Sequence, residues 1–481
     1  MLDIKSRVVS GVKWSLSAKL FAQIFSWVVT FTIIRILTPE DYGIIEISTA
    51  MIGLAVALGV SGLSDVLVQK KEQDDKLYSQ VLTLAFTVNI LLVLILLLTA
   101  DLIANWFAIP QLENIIKVLS FNVFLISFTI VPEGILKREM NFKRLSLIQL
   151  VKAVTNSVTS LILALNGFGL WSIILGNLAS TLILVLLLNL SVKSKYFFTM
   201  DFSDFYYYFN FGLFTMVNSL LTFIFLKADA LIIGKLLGSE SLGYYSVGSQ
   251  LANLPLEKVA QTLNEVSYVG YANVKENPRH VAYYYLQSSK IIAFLAFPVF
   301  WGLASVAQPL VEVLLGEKWA DATVIIQVLA VVMPFRIYQL ATQSAIAGIG
   351  HPKFNSKNLA VLCVVIPPSV LIGLNWGILG AAVGWSLSYF IFYIWMLRRS
   401  FKFLDINPLD YLKSIAAPMI SGAAMFLVNF VLMDNTFYDN SIWDLCSLII
   451  IGALVYFAFI FLFDKTIISR FKQLLVNDAY L

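Results

Sequence analysis

The chain has 481 residues, of which 59% are hydrophobic and only 13% charged, with a net charge of +4 at neutral pH. Soluble domains carry about 25% charged residues, so this composition excludes an ordinary soluble fold and places the chain among polytopic membrane proteins. Cys363 and Cys446 lie in apolar runs and read as buried thiols, His280 and His351 have no ligand partners nearby, and no metal site, cofactor or nucleic-acid partner is expected.

A bilayer span needs about 20 mostly apolar residues. Fourteen such segments follow one another: 11–36, 43–68, 78–104, 114–135, 145–165, 169–192, 207–234, 242–268, 283–315, 322–348, 357–375, 378–398, 412–433 and 442–463. The first is charged and of full length, unlike the short apolar core of a cleavable signal peptide, and none is evident. The connections are short, so the fold class expected is an all-α membrane protein of 14 transmembrane helices. Lys and Arg test the count. With an even number of spans, one side receives 22 of the 33 cations, among them Lys137, Arg138, Lys143 and Arg144, whereas the opposite loops hold only Arg35, Lys235 and Lys318. Both termini are therefore expected in the cytoplasm.

An internal repeat shows at an offset of 200 residues. "RILTPEDYGIIE", 35–46, aligns with "KLLGSESLGYYS", 235–246, bringing Arg35 onto Lys235, Glu40 onto Glu240 and Gly43 onto Gly243. A second match aligns "GLWSIILG", 169–176, with "GILGAAVG", 377–384, so that Gly169 faces Gly377 and Gly176 faces Gly384. The repeat unit is six spans, an even number, so the halves share one orientation and relate by a two-fold axis along the membrane normal. The expected domains are a bundle over 1–200, a second over 201–403, and two further helices with a tail over 404–481. Transporters commonly hold their substrate between such halves.

Charges inside spans cost several kcal/mol, about 3 or more, and usually face a wet cavity or a partner. Lys19 and Gln23 share a face of the first span; Glu46 and Asp65 lie near the two ends of the second; Lys152 is in the fifth; Asn218, Lys227 and Asp229 are in the seventh; Glu257, Lys258, Asn264 and Glu265 are in the eighth; and Arg336 follows Pro334 in the tenth. Lys19, Lys152 and Arg336 have no obvious counter-charge on their own helices and are the expected cavity cations, suited to an anionic substrate. Gln23, Glu46, Asp65, Asn218, Lys227 and Asp229 are candidates for cavity polarity and coupling. Lys227 and Asp229 equally suit a local pair near a helix end. Glu40 and Glu240 are expected to cap helices or pair with Arg35 and Lys235; the sharper alternative makes these four an outer gate.

The chain resembles the polysaccharide-transporter branch of the multidrug/oligosaccharidyl-lipid/polysaccharide exporter superfamily, and within it the Wzx-type, colanic-acid-exporter-like flippases. The resemblance covers roughly residues 5 to 400. It rests on "RILTPEDYGIIE", "GVSGLSDVLVQKKE" (59–72), "VPEGILKREMNFKRL" (131–145), "ADALIIGKLLGSESLGYYSVGSQLANLP" (228–255) and "MPFRIYQLATQSAIAGIGHPK" (333–353). It implies two six-helix bundles, often with two extra helices, and translocation of a polyprenyl-diphosphate-linked oligosaccharide to the outer leaflet by alternating access, driven by a proton or sodium gradient. It also implies a bacterial cytoplasmic-membrane location, with membrane lipids and polysaccharide polymerase machinery as partners. Lys19 and Arg336 are the positions best placed to hold a diphosphate. The sequence departs from the family at "NEVSYVGYANV", which lacks a usual proline, and at Lys227, where an Asn is more usual. A small-molecule antiporter of the same fold would lean acidic. An integral-membrane polymerase or ligase would want a large outer loop with convergent His, Arg or carboxylates, whereas the longest outer loops here have about ten residues and no His.

Overall fold

The computed structural model describes Gln23, Leu67 and residues 25–59, 75–194, 196–201, 205–274, 277–435 and 441–467; of these, the side chains of 205–212, 214, 257–270 and a few others are not described. All regular structure among them is helical. In chain order the helices are α1 (Phe25–Ile36), α2 (Pro39–Gly59), α3 (Asp75–Phe107), α4 (Gln111–Ile126), α5 (Ile130–Arg138), α6 (Phe142–Leu165), α7 (Trp171–Ser191), α8 (Phe205–Val274), α9 (Pro278–Ser305), α10 (Ala307–Leu314), α11 (Ala322–Gly348), α12 (Lys353–Gly373), α13 (Gly377–Leu404), α14 (Pro408–Asn435) and α15 (Ile442–Phe463). Among the described residues nine helical segments are long and apolar enough to cross a membrane, or ten with the bent pair α4–α5 taken as one span; one of them, Lys353–Leu404, contains both α12 and α13. The chain is a multi-pass helical membrane protein, and its helices fall on the segments expected from hydropathy.

Three expected elements differ in detail. The span 114–135 is broken into α4 and α5, bent by 41°. Pro132 lacks the N–H that would bond the Phe128 carbonyl four residues back, and in hydrocarbon such a carbonyl must find a partner inside the protein. The Asn189 side chain of α7 donates to it at 3.0 Å. The span 283–315 is likewise divided, at Val306, into α9 and α10. Here Pro298 frees the Phe294 carbonyl, and the Tyr456 hydroxyl of α15 donates to it at 2.9 Å. Finally, Cys363 is half-buried and Cys446 exposed, both free thiols, because apolar faces of a membrane helix look outward to lipid as readily as inward.

Both repeat motifs reappear as equivalent geometry. Gly169 and Gly377 each take a positive φ, 52° and 70°, where the chain turns into α7 and α13. Gly176 and Gly384, seven residues on, sit where those helices press on the helix before them: a Cβ would lie 2.0 Å from the Ser160 Oγ of α6 and 2.4 Å from the Ser369 carbonyl of α12. Small residues at such crossings let helices approach where lipid supplies no hydrophobic drive.

The chain divides into two compact units: residues 1–227 with Gly238–Gly243, and Ala228–Leu237 with 244–481. In the first, the segment 196–201 lies along α3. The backbone N–H groups of Phe197 and Thr199 donate to Ser79 Oγ and Thr83 Oγ1, the Gln80 amide donates to the Asp201 carbonyl at 3.1 Å, and Lys76 pairs with Asp201 at 2.7 Å. In the second, α14 and α15 dock on α9. Besides the Tyr456 bond, Asn429 of α14 donates to Ser305 Oγ at 3.0 Å, and Asp464, just past α15, pairs with Lys290 of α9. Burial raises the Asp464 carboxyl, but hydrogen bonds from Lys290 and Thr466 outweigh it and hold the group below its ordinary value.

Removing either side chain that serves a proline-freed carbonyl strands that carbonyl in an apolar setting. Asn189→Leu and Tyr456→Phe are each expected to cost about 1–3 kcal/mol, read as a lower melting temperature in detergent, while Tyr196→Phe, which loses only an exposed bond to Asn189, stays within about 0.5 kcal/mol of wild type.

Candidate functional site

The doubled turn lies within the first unit. Thr38 caps α2: its Oγ1 accepts from the Asp41 N–H, and Asp41 Oδ2 accepts from the Thr38 N–H at 3.0 Å and from its hydroxyl at 2.8 Å. This reciprocal box satisfies the free N–H groups of a helix start. The capping acid is therefore Asp41 and not Glu40, which a Thr-x-x-Asp reading of the sequence reveals. Arg35 and Glu40 are exposed and form no ion pair with each other; Lys235 and Glu240 are also exposed. What joins the two copies is backbone. A Cβ built on Gly43 would lie 1.8 Å from the Ser239 carbonyl oxygen, and one built on Gly243 would lie 1.8 Å from the Pro39 carbonyl oxygen. The two contacts are the same contact displaced by 200 residues, 39 and 43 against 239 and 243. The first turn of α2 and the helical turn after Gly238, where α8 breaks at φ 87°, thus cross reciprocally at a distance only glycine permits.

Below that crossing, Glu46 of α2 and Lys227 of α8 form an ion pair at 2.6 Å, with side chains 21% and 35% exposed. Lys227 therefore neutralises a carboxylate on another helix rather than serving Asp229, two residues on. Asp229 belongs to the second unit and is buried; it accepts from the Ala230 N–H at 2.8 Å and from the Tyr245 hydroxyl at 2.7 Å. Lys152 is half-buried on α6, one turn before Asn156, and forms no ion pair with a described residue. Gln23 and Asn218 are half-buried as well, and the Asn218 carbonyl accepts from Thr222. Lys19 and Asp65 lie outside the described residues, as do the side chains of Glu257, Lys258, Asn264 and Glu265.

The second unit holds the most developed polar cluster. Arg336, half-buried on α11, donates from Nη1 to Asn253 Oδ1 of α8 at 2.6 Å, and its guanidinium stands 5.5 Å from the centre of the Trp385 ring of α13. Trp385 stacks on Tyr389 with ring centres 5.2 Å apart, and the Tyr389 hydroxyl donates to Gln339 Oε1. The cation is thus held by a neutral amide and a ring face, both of which leave its charge in place. Sequence reading finds Arg336 and overlooks Asn253, Trp385, Tyr389 and Gln339. One signal was available: Arg336 stands two residues after Pro334 and Asn253 two before Pro255, so each polar group borders a proline-weakened turn.

Two outcomes test this geometry. Gly43→Ala and Gly243→Ala each push a Cβ into a carbonyl that cannot rotate away, so each is expected to cost at least about 1–3 kcal/mol in thermal unfolding. Gly53→Ala, whose Cβ would meet only the Phe223 ring at 3.5 Å, leaves the melting temperature near wild type. Lys227→Glu alone places two acids together and lowers the yield of folded protein; adding Glu46→Lys restores it. Equal yields for single and double variants refute the pairing.

The comparisons with known proteins follow this architecture. The chain is 23% identical over 476 residues to the succinoglycan biosynthesis transport protein ExoT of Rhizobium meliloti (strain 1021), covering 96% of this chain and 94% of that protein. Its fold is similar to that of the lipid II flippase MurJ in an inward closed conformation, with a TM-score of 0.79 at 18% identity over 95% of this chain and 100% of that one. It is also similar in fold to an inward-facing multidrug resistance MATE family transporter of the MOP superfamily, with a TM-score of 0.62 at 17% identity over 80% and 95% of the two chains. The model of the polysaccharide biosynthesis protein family matches residues 32–324, more than half of the chain, and the chain belongs to that family.

Proposed function

We propose that this protein flips a polyprenyl-diphosphate-linked oligosaccharide from the cytoplasmic to the outer leaflet of the bacterial cytoplasmic membrane by alternating access. The observation that carries this reading is the Arg336 cluster. An arginine in the middle of a span, oriented by Asn253 and Trp385, presents a guanidinium that can grip the diphosphate of an anionic headgroup through parallel N–H donors. The transport role in the name of ExoT and the lipid II flippase activity in that of MurJ support the same reading. A drug-cation antiporter would place an acid where Arg336 stands.

In this reading Lys19 and Lys152 extend the cationic path, with Gln23 and Asn218 as polar neighbours. Glu46, Asp65 and Asp229 are the groups through which a proton or sodium gradient acts. The Gly43–Gly243 crossing is the outer gate, with Arg35, Glu40, Lys235 and Glu240 as the charges of its two turns: a contact this tight must separate completely for the path to open outward. The polyprenyl tail stays in lipid along the apolar faces of α14 and α15. Both termini face the cytoplasm, and polysaccharide polymerase machinery takes the product on the other side. The protein acts as a transporter and not as an enzyme.

Arg336→Ala and Lys19→Ala are expected to reduce polymer export at least about tenfold, the loss of one charge-assisted contact, in a host lacking its own flippase, with membrane levels of protein unchanged. Arg336→Lys, which keeps the charge but loses the bidentate fork, recovers only part. Full export by both alanine variants refutes the assignment of these cations to the substrate path.

A further inference from the structure

Five cations gather at one edge of the second unit: Lys353 and Lys357 on the first turns of α12, and Arg398, Arg399 and Lys402 on the last turns of α13. Some other cations of the described residues have acids. Lys76 pairs with Asp201, Lys137 with Glu133 and Lys290 with Asp464. The five here form no ion pair with a described residue, and Asp405, the acid that follows α13, is exposed and unpaired with them. Lys353 and Lys357 are four residues apart on one helix, as are Arg398 and Lys402 on the other, a spacing at which like charges repel and destabilise a helix.

Arg399 is the ordered centre of this group. Its guanidinium lies 4.4 Å from the centre of the Trp395 ring and 4.9 Å from that of Phe354, and its Nη1 donates to Asn358 Oδ1 at 3.1 Å. Asn358 is completely buried, and its Nδ2 has no hydrogen-bond partner among the described residues. A buried amide left half-satisfied costs stability, yet here it positions one arginine. Orienting a chain in the membrane requires only that cations be present in a loop. It does not require one to be stacked between two rings on a buried amide, so topology alone leaves this construction unexplained. The remaining guanidinium donors, with four exposed cations around them, form a receptor for a phosphate group. Trp395 is 38% exposed and Phe403, which meets Phe354 edge-on and His351 at a tilt, is 44% exposed. Apolar ring surface beside phosphate-binding cations suits an amphiphile at the lipid–water boundary rather than a free anion, and basic pockets between helices at this level are known binders of anionic headgroups.

We propose that the ends of α12 and α13 form a binding site for the phosphodiester headgroup of an anionic membrane phospholipid, with Arg399 as its fixed anchor and Lys353, Lys357, Arg398 and Lys402 as its surrounding charges. The site is independent of the transport path, since none of these residues belongs to the Arg336 cluster.

The test uses the full chain in neutral detergent, with phosphatidylglycerol, phosphatidylcholine and inorganic diphosphate as probes, followed by native mass spectrometry and thermal melting. Wild type is expected to retain phosphatidylglycerol over phosphatidylcholine and to melt higher in its presence. Lys353→Gln/Lys357→Gln/Arg398→Gln/Lys402→Gln, which alters exposed side chains only, is expected to bind phosphatidylglycerol at least about tenfold more weakly. Arg399→Lys preserves the charge that sets topology and lacks the stacked fork, so it also binds more weakly while inserting normally. Equal retention of the two lipids by wild type, undiminished phosphatidylglycerol binding by the quadruple variant, or stabilisation by inorganic diphosphate without a lipid preference would each overturn the proposal.

Discussion

Inside a bilayer every backbone N–H and C=O must find its partner within the protein, because the surrounding hydrocarbon supplies none. Continuous helices meet this requirement by themselves, and at two proline positions a side chain from another helix supplies the missing donor. Pro132 releases the Phe128 carbonyl and Asn189 takes it; Pro298 releases the Phe294 carbonyl and Tyr456 takes it. The bends in the first and second units therefore come with built-in ties to α7 and α15. The second tie is one of the contacts that join the two last helices to the unit. Tyr456, Asn429 and Asp464 make polar contacts at α9, and apolar side chains pack beside them, Phe294 with Met425 and Ile460, and Val306 with Leu445 and Leu448; in lipid such packing acts through van der Waals contact rather than the hydrophobic effect.

The same solvent makes close backbone approach valuable, since packing replaces hydrophobic burial as the source of cohesion. Glycine supplies that approach at repeated positions. Gly176 and Gly384 seat α7 on α6 and α13 on α12; Gly43 and Gly243 make one reciprocal crossing in which each glycine meets the carbonyl four residues before its counterpart. A crossing built from two identical halves is rigid while closed and holds no side chain that could slide to ease it open. That all-or-none character suits a gate. Arg35, Glu40, Lys235 and Glu240, the charges of the two turns, are exposed.

Three arrangements of charge inside the membrane stand out among the described residues. Glu46 and Lys227 cancel each other across two helices; Asp229 is held by Tyr245 and a backbone N–H; Arg336 is held by an amide and a ring that leave it cationic. The third arrangement orients a guanidinium through amide and ring contacts, and Arg399, held by Asn358 and two rings, repeats it at the other end of α13.

The membrane class, the succession of spans and the family were legible in the sequence, because hydropathy and motifs are properties of the line of residues. The paired motifs were legible too, and their glycines take up equivalent geometry. The partners were decided by the tertiary structure alone. Lys227 and Asp229 are two residues apart and turn to different helices; Glu46 meets a lysine 181 positions away; Asn253 finds Arg336 across 83. In a soluble helix an apolar stripe marks the inward face and so narrows the choice of partners. A membrane helix is apolar on the face toward lipid and on the face toward its neighbours, so its pattern does not say which way a polar group points, and only the packed helices determine what it meets.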